Sequence, residues 1–373
     1  MRVIIAGAGE VGSNIAAGLA DSHEVVVIDP DEKRIEEISY SHDVLAIKGS
    51  GTSIETLREA GVERADIVIG CAAEDETNLV ICGTAKVAAD PFTIARVKSV
   101  SYLTTWESQP RAYSVDFMVC MDLLTAENIV RAIGLPAASD SDVFANNSIR
   151  MAEFPIAEES DFANKTVEAA DRFDNLTFAG LVIDGETVIA KGDTVIEPGG
   201  KLIVIGTPEG LQEFATAVNP DIDTASTDQV LIVGGSRIGY HTARLLEHRA
   251  PRTRLIEKDP ERARQLAEQL SNTTVFEHDA TDIEFLRDEQ IENIDVVVTA
   301  LESDEKNLLM AVLAKQLGAE RTVAVVETGA YAGIFEAVGV DVAVNPRELI
   351  AEEIIRFTYD VPAEKISLIE EQQ

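Results

Sequence analysis

The chain has 373 residues, enough for two or three domains at roughly 100–200 residues each. Its 46% hydrophobic and 26% charged residues are those of a folded protein and exclude wholesale disorder. Against 31 basic residues stand 66 acidic ones, a formal net charge of -35, which argues against nucleic acid or an anionic lipid surface as a large-area partner. The acids are spread along the whole chain and interleave with apolar runs, so they read as a solvated surface, and lysine is scarcer than arginine. Such a surface fits a cytoplasm of very high salt, where screening tolerates the self-repulsion. The expected result is loss of structure on dialysis to low salt, followed by circular dichroism; a fold unchanged in dilute buffer would remove the idea. Cys71, Cys82 and Cys120 form no CxxC pair, so neither a disulfide framework nor a metal site is expected. No stretch approaches the roughly 18–20 apolar residues of a membrane span. Met1-Arg2 leads directly into a strand rather than a signal peptide, and the expectation is a soluble cytoplasmic protein.

In chain order, short apolar strands are predicted near 2–6, 24–28, 43–47, 66–70, 92–97 and 115–119, with amphipathic helices between them. Strands joined by helical crossovers pair parallel, and near-continuous apolar strands such as DIVIG need helices on both faces. Asp122–Ile133 follows as a helix. The next segment differs: Met151–Pro155, Leu176–Ile183, Thr187–Ile189 and Lys201–Ile205 are strand-like and separated by turn signals at Asp184-Gly185 and Pro198-Gly199-Gly200. A Pro/Asp/Thr/Ser run serves as linker. Strands then recur near 229–233, 253–257, 274–277, 295–299, 322–326 and 341–344, and a helix is expected over Ala351–Tyr359. The fold class is α/β: two doubly wound parallel-sheet, Rossmann-like domains flanking a small mixed α/β domain. The expected division is 1–136, 137–219, a linker at 220–228, 229–350, and a final segment 351–373.

The second set of strands is a copy of the first. Gly7 and Gly234, Asp29 and Glu257, and Asp75 and Asp304 are offset by 227, 228 and 229 residues. In copy one, strand RVIIA enters Gly7-Ala8-Gly9-Glu10-Val11-Gly12, which opens a helix. Glycines at these positions let pyrophosphate approach the backbone, and the helix start offers free N–H groups and partial positive charge. Asp29 closes the second strand, 22 residues after Gly7, where a carboxylate accepts both ribose hydroxyls and repels the 2′-phosphate of NADP. Copy one is therefore expected to bind NAD or NADH. Gly49 and Ser50, with Gly51 and Thr52 after them, follow the third strand on the adenosine side, and Cys71 and Ala72 end the fourth. Arg96 ends the fifth strand, either as a cation aimed into the crevice or as a surface ion pair.

Copy two keeps the frame with changes. Gly234, Gly235, Ser236, Arg237 and Ile238 form its loop, Glu257 replaces the aspartate, and Val325 stands where copy one has Arg96. Asp279 and Ala280, after His278, take the places of Ser50 and Gly51. Weaker binding, a preference for a mononucleotide, and a degenerate copy that binds nothing all remain open. No catalytic residues are assigned: His23, His42, His241 and His248 read as ordinary surface or loop residues, and no GxSxG, HExxH or Walker lysine occurs.

Taken together, GAGEVG, VVVIDPD, the DETNL and SDEKNLL runs, Ile94-Ala95-Arg96-Val97, HDATD, Gly339-Val340-Asp341 and Asn345-Pro346-Arg347 resemble the TrkA-type regulatory subunits of potassium-uptake systems, built from RCK domains. The segment ending GGKLIVIG resembles that family's small C-type ligand-binding subdomain. The likeness covers essentially the whole chain, though GSGT at 49–52 departs from the G-D-A-T common there. It implies an N-unit, C-unit, N-unit order, with 351–373 reading as the start of an absent second C-unit. It also implies a non-enzymatic gating subunit, peripheral on the inner face of the membrane. The implied partners are a membrane-embedded Trk-type potassium transporter and further copies of the chain, paired through the crossover helix near 122–133 into a dimer or ring. The opposed ligands would be NAD and NADH, or ATP and ADP. The competing reading, from copy one alone, is an NAD-dependent oxidoreductase.

Overall fold

The computed structural model describes residues 1–109, 112–134, 140–144, 149–173, 175–183, 186–218, 229–247 and 252–360. Copy one holds β1 (Arg2–Ala6), β2 (Glu24–Asp29), β3 (Leu45–Lys48), β4 (Ile67–Gly70), β5 (Phe92–Val97) and β6 (Phe117–Cys120), each within about two residues of its expected place. They form one parallel sheet in the order β3-β2-β1-β4-β5-β6, with Ile4 of β1 registered to Val26 on one side and Val68 on the other. Alternate residues of β1 enter two different cores: Val3 and Ile5 pack with Ile15 and Leu19, while Ile4 and Ala6 pack with Leu57 and Ile81. That two-sided burial is why its residues are continuously apolar. The order reverses between β1 and β4, and the crevice at this switch point, beyond the strand C-termini, is where such sheets take ligands.

The middle segment contains β7 (Asp140–Phe144), β8 (Ile149–Pro155), β9 (Leu176–Ile183), β10 (Glu186–Ile189) and β11 (Lys201–Gly206), in the order β10-β9-β11-β8-β7. Every pair is antiparallel. β7 was not expected, because Asp-Ser-Asp at its start carries no strand-like apolar alternation. Phe214, on the helix Pro208–Val218, fills this core with Phe154, Phe162, Phe173 and Phe178 around it at centroid distances of 4.9 to 5.5 Å. The Asp184-Gly185 turn, the 220–228 linker and the tail from 361 lie outside the described residues.

Copy two repeats the first sheet with β12 (Gln229–Val233), β13 (Arg252–Glu257), β14 (Thr273–Glu277), β15 (Val296–Thr299), β16 (Arg321–Val325) and β17 (Val342–Val344), ordered β14-β13-β12-β15-β16-β17. The chain divides into two compact units: Met1–Thr125 with the segment beginning at Asn345, and Ala126–Val344. The last helix, Pro346–Asp360, therefore belongs with copy one although it follows the sixth strand of copy two. Its Ile350, Ala351 and Ile354 are buried in the core that holds Ile15 and Leu19, and Phe357 stacks on Phe117 at 3.8 Å. This helix starts five residues before the expected Ala351, because Asn345 Oδ1 accepts the N–H groups of Arg347 at 2.9 Å and Glu348 at 3.2 Å, with proline at the first helical position. In the other unit, Arg321 donates to the carbonyl of Ala132 at 2.8 Å, near the end of the crossover helix Met121–Ile133.

One histidine is neither the surface nor the loop residue expected. His241 is buried on the helix Arg237–Leu246, and burial, followed by the charges of Arg244, Arg237 and Arg262, pushes its pKa down to about 4. His23 packs its ring against Tyr359, with both ring nitrogens buried. His248 lies outside the described residues. Among the described residues no helix is long and apolar enough to cross a membrane.

Candidate functional site

The three copy-one glycines have separate tasks. Gly7 has φ +119°, where a side chain is strained, and a Cβ there would lie 2.8 Å from the backbone of Cys71 and Ala72. A Cβ on Gly12 would lie 1.8 Å from the carbonyl oxygen of Gly7, so this glycine sets how closely helix and strand pack. Gly9 is different: its Cβ would meet nothing closer than an Arg34 Nη at 3.9 Å. The space above Gly9 is open, as approach of a ligand requires. Gly9 is also the N-cap of the helix Glu10–Ala20 and supplies no side-chain cap, so the early N–H groups of that helix are left for an anion. Val11 is buried beneath the loop, and Glu10 stands at the helix start.

Asp29 is buried and fixes the loop from below. Its Oδ2 accepts the N–H of Ala8 at 2.7 Å and its Oδ1 that of Asp31 at 2.8 Å. A carboxylate has about four acceptor positions, so capacity remains for ribose hydroxyls. The Gly49 N–H reaches the Asp29 carbonyl at 3.0 Å, which brings the 49–52 loop beside the acid, and the hydroxyls of Ser50 and Thr52 bond each other at 2.8 Å. The thiol of Cys71 faces the Gly7 carbonyl at 3.3 Å, and burial pushes its pKa up to about 12, so it is a packing group rather than a nucleophile. Arg96 is no surface ion pair. It is 5% exposed, donates from Nη1 to the Ala72 carbonyl at 2.8 Å, and keeps its Nε buried without a hydrogen-bond partner.

Copy two reproduces the bonds made around the acid. Glu257 accepts the N–H groups of Gly235 and Asp259, each at 2.8 Å, and His278 N–H reaches the Glu257 carbonyl at 3.0 Å. Its loop opens on a cleft of about 820 Å³, lined by Gly234, Gly235, Ser236, Arg237, Glu257, Asp279 and Ala280 among others; Ile238 is buried behind it. The changes alter the chemistry. Ser236 caps its own helix, its hydroxyl accepting the Gly239 N–H at 3.2 Å, which consumes a donor that Gly9 leaves free. Arg237, Lys258, Arg262 and Lys306 all line the cleft, where copy one has Glu10, Pro30, Arg34 and Thr77. The lining thus gains three cations and loses an acid. The ring of His278 stacks on Phe285 at 4.0 Å, and its Nε2 lies 3.1 Å from Asp282.

Sequence reasoning saw DETNL and SDEKNLL as marks of duplication but not what they do. Asn78 is fully buried; its Oδ1 accepts the Ala72 N–H at 2.7 Å, and its Nδ2 donates to the carbonyls of Ala72 at 3.0 Å and Arg96 at 2.8 Å. Asn307 makes the same three bonds to Leu301 and Val325. Asp75 accepts the N–H groups of Lys98 and Ser99, as Asp304 does those of Glu327 and Thr328. These side chains pin the ends of the fourth and fifth strands, which form one wall of each crevice. Their recurrence at the repeat offset was the available signal. Lys258, Arg262 and Lys306 were also missed, and nothing in their local sequence marks them.

The TrkA-N domain family matches residues 3–110 and 230–346, and the TrkA-C domain family matches 151–219. A Trk system potassium uptake protein TrkA homolog of Archaeoglobus fulgidus is 36% identical over 99% of this chain and 84% of its own length. A TrkA homolog 1 of Methanosarcina mazei is 34% identical over 99% of this chain and 92% of its own. Among solved structures, the GsuK channel bound to NAD superposes with a TM-score of 0.66 at 19% identity, covering 95% of this chain and 62% of that one, and so shares the fold. With both domain types matched in order and relatives above 30% identity over most of their length, the chain belongs to the TrkA family of Trk potassium-uptake proteins.

Proposed function

We propose that the chain is a nucleotide-sensing regulatory subunit of a Trk-type potassium transporter, working at the inner face of the cell membrane. The observation that carries this is the duplicated cradle: in each copy a glycine turn, a helix start and an acid that holds the loop meet at the switch point of a parallel sheet, with the helix start uncapped and the acid buried in copy one. Copy one, with Gly9 open and Asp29 placed for the ribose, takes NAD or NADH. The same carboxylate disfavours NADP, whose 2′-phosphate would face it. Copy two, with four cations around a helix start partly capped by Ser236, takes a more anionic nucleotide such as ADP or ATP. The relatives' names belong to potassium uptake, which supports regulation over hydride transfer as the use of these sites. A nucleotide changes gating only through a difference in affinity between two conformations, typically about 1–3 kcal/mol. Self-association through the crossover helix would pair the units that change.

Titration calorimetry with NAD, NADH, ADP and ATP tests this reading. Asp29→Ala is expected to weaken NAD by about 10–100-fold, as loss of charge-assisted bonds does, and to leave ATP binding at copy two within twofold. Substituting Lys306→Ala should do the reverse. Reconstitution with the membrane transporter should then show potassium flux that follows nucleotide. Steady NADH oxidation with a small carbonyl substrate, lost in Asp29→Ala, would instead favour the oxidoreductase.

A further inference from the structure

Arg347 comes from the far end of the chain but stands at copy one's loop. It is the second residue of the helix Pro346–Asp360, which packs in the first unit, and its guanidinium pairs with Glu10, the first residue of the helix Glu10–Ala20. The two ends of this pair are unequal. An acid in the first turn of a helix is favoured by the helix dipole, whereas a cation in the first turn is opposed by it. Arg347 therefore gains from any anion brought near, while Glu10 is stable where it is. Both side chains are a little over one-third exposed, at 37% and 35%, so their mutual attraction is screened and exchangeable.

A second guanidinium lies close by. Arg96 is buried with an unpartnered Nε, and the Arg347 charge is one of those that bear on it. The mouth of the copy-one site thus carries Arg347 and the buried Arg96, with Arg34 beside Gly9, and the half-exposed carboxylate of Glu10 beside the N–H groups of its own helix. A ligand phosphate arriving at that helix start meets Glu10 as a repulsive neighbour and Arg347 as an attractive one.

We infer that Arg347 is a phosphate-reading residue of the copy-one site, held by Glu10 until a nucleotide's phosphate takes the carboxylate's place. Arg347 makes the affinity of copy one rise with the phosphate charge of its ligand, and it ties occupancy of copy one to the helix that leaves copy two. The inference rests on copy one being a nucleotide site, as proposed above.

The test uses the full chain, with NAD measured directly and ATP measured by displacement of NAD, so that only copy one is read. Arg347→Gln should weaken NAD by about tenfold and ATP more, with Arg347→Lys recovering part of the loss. Glu10→Gln should act in the opposite direction, tightening NAD by a few-fold and ATP more. The opposed signs are the discriminating result. If the pair only braces the structure, both substitutions break the same bond, lower the melting temperature of the ligand-free chain together, and shift both ligands the same way; that result overturns the inference and leaves the nucleotide site standing. Shifts below twofold for Arg347→Gln overturn it equally. A parent chain that binds none of the nucleotides overturns the reading of the site, and this inference with it.

Discussion

Gly9→Val is expected to abolish NAD binding while leaving the fold intact, and Gly12→Val to destabilise the first unit. The two glycines lie three residues apart in one motif, yet their surroundings are opposite. At Gly9 the added Cβ meets nothing within 3.9 Å, and φ is an ordinary -73°, so the backbone already accepts a side chain. The substituent then fills the space over the helix start, and a hundredfold or greater loss of NAD affinity follows from excluding the pyrophosphate by even one methyl layer, at about 2.7 kcal/mol or more. The melting temperature should move by less than about 2 °C. At Gly12 the Cβ would stand 1.8 Å from a backbone oxygen, which cannot rotate away. Helix and strand must separate, at a cost of about 3 kcal/mol or more, visible as a fall in the unfolding midpoint. Equal effects of the two substitutions on stability would remove the distinction drawn between ligand approach and packing.

This distinction also shows what could be read without the structure. The glycines and Asp29 were legible because backbone geometry dictates them: a positive φ at Gly7, an intolerable Cβ at Gly12 and a loop that needs an acceptor at Asp29 leave few residue choices. The strands were legible for a similar reason, since two-sided burial forces continuous apolar runs. Arg96 was not settled, because an arginine at a strand end looks the same in sequence whether its partner is a carboxylate or a carbonyl, and only burial decides. Lys258, Arg262 and Lys306 come from three different segments, and their convergence is a property of the crossovers, not of any local pattern. The start of the last helix at Pro346 was visible in Asn345 and the proline that follows, but its packing in the first unit was not.

The inequality of the copies sharpens once charges are placed. On a chain of net charge -35, a crevice that replaces Glu10, Pro30 and Thr77 with Arg237, Lys258 and Lys306 concentrates positive potential against the background. Since a cleft focuses the field of the groups lining it, the same frame selects ligands of different charge without moving a strand. The sequence left copy two open between weak binding, a mononucleotide site and a degenerate copy. The capped helix start and the added Arg237, Lys258 and Lys306 are what support the mononucleotide reading proposed above.

Asn78→Ala should be the most damaging single substitution among the polar groups of the copy-one crevice. The side chain is fully buried and bonds three backbone groups: the N–H and C=O of Ala72 and the C=O of Arg96. Alanine leaves these groups without it, in a site too enclosed for free hydration, at roughly 1–3 kcal/mol for the first and less for each further one. A total near 3 kcal/mol would lower the melting temperature by about 6–12 °C for a unit of this size. NAD binding should fall as well, because Ala72 belongs to the wall against which Gly7 turns. Asn78→Asp isolates the cause. Its carboxylate can still accept the Ala72 N–H but faces two carbonyl oxygens, so burial and repulsion raise its folded pKa above the unfolded value of about 3.9. The folded state then binds the extra proton, so stability is present at low pH and is lost as pH rises through the raised pKa. A variant stability that recovers on acidification, against a parent that does not, identifies the lost N–H bonds as the source. The same pair of substitutions at Asn307 should reproduce the stability loss in the second unit while sparing NAD, since the frame is shared and the ligand is not.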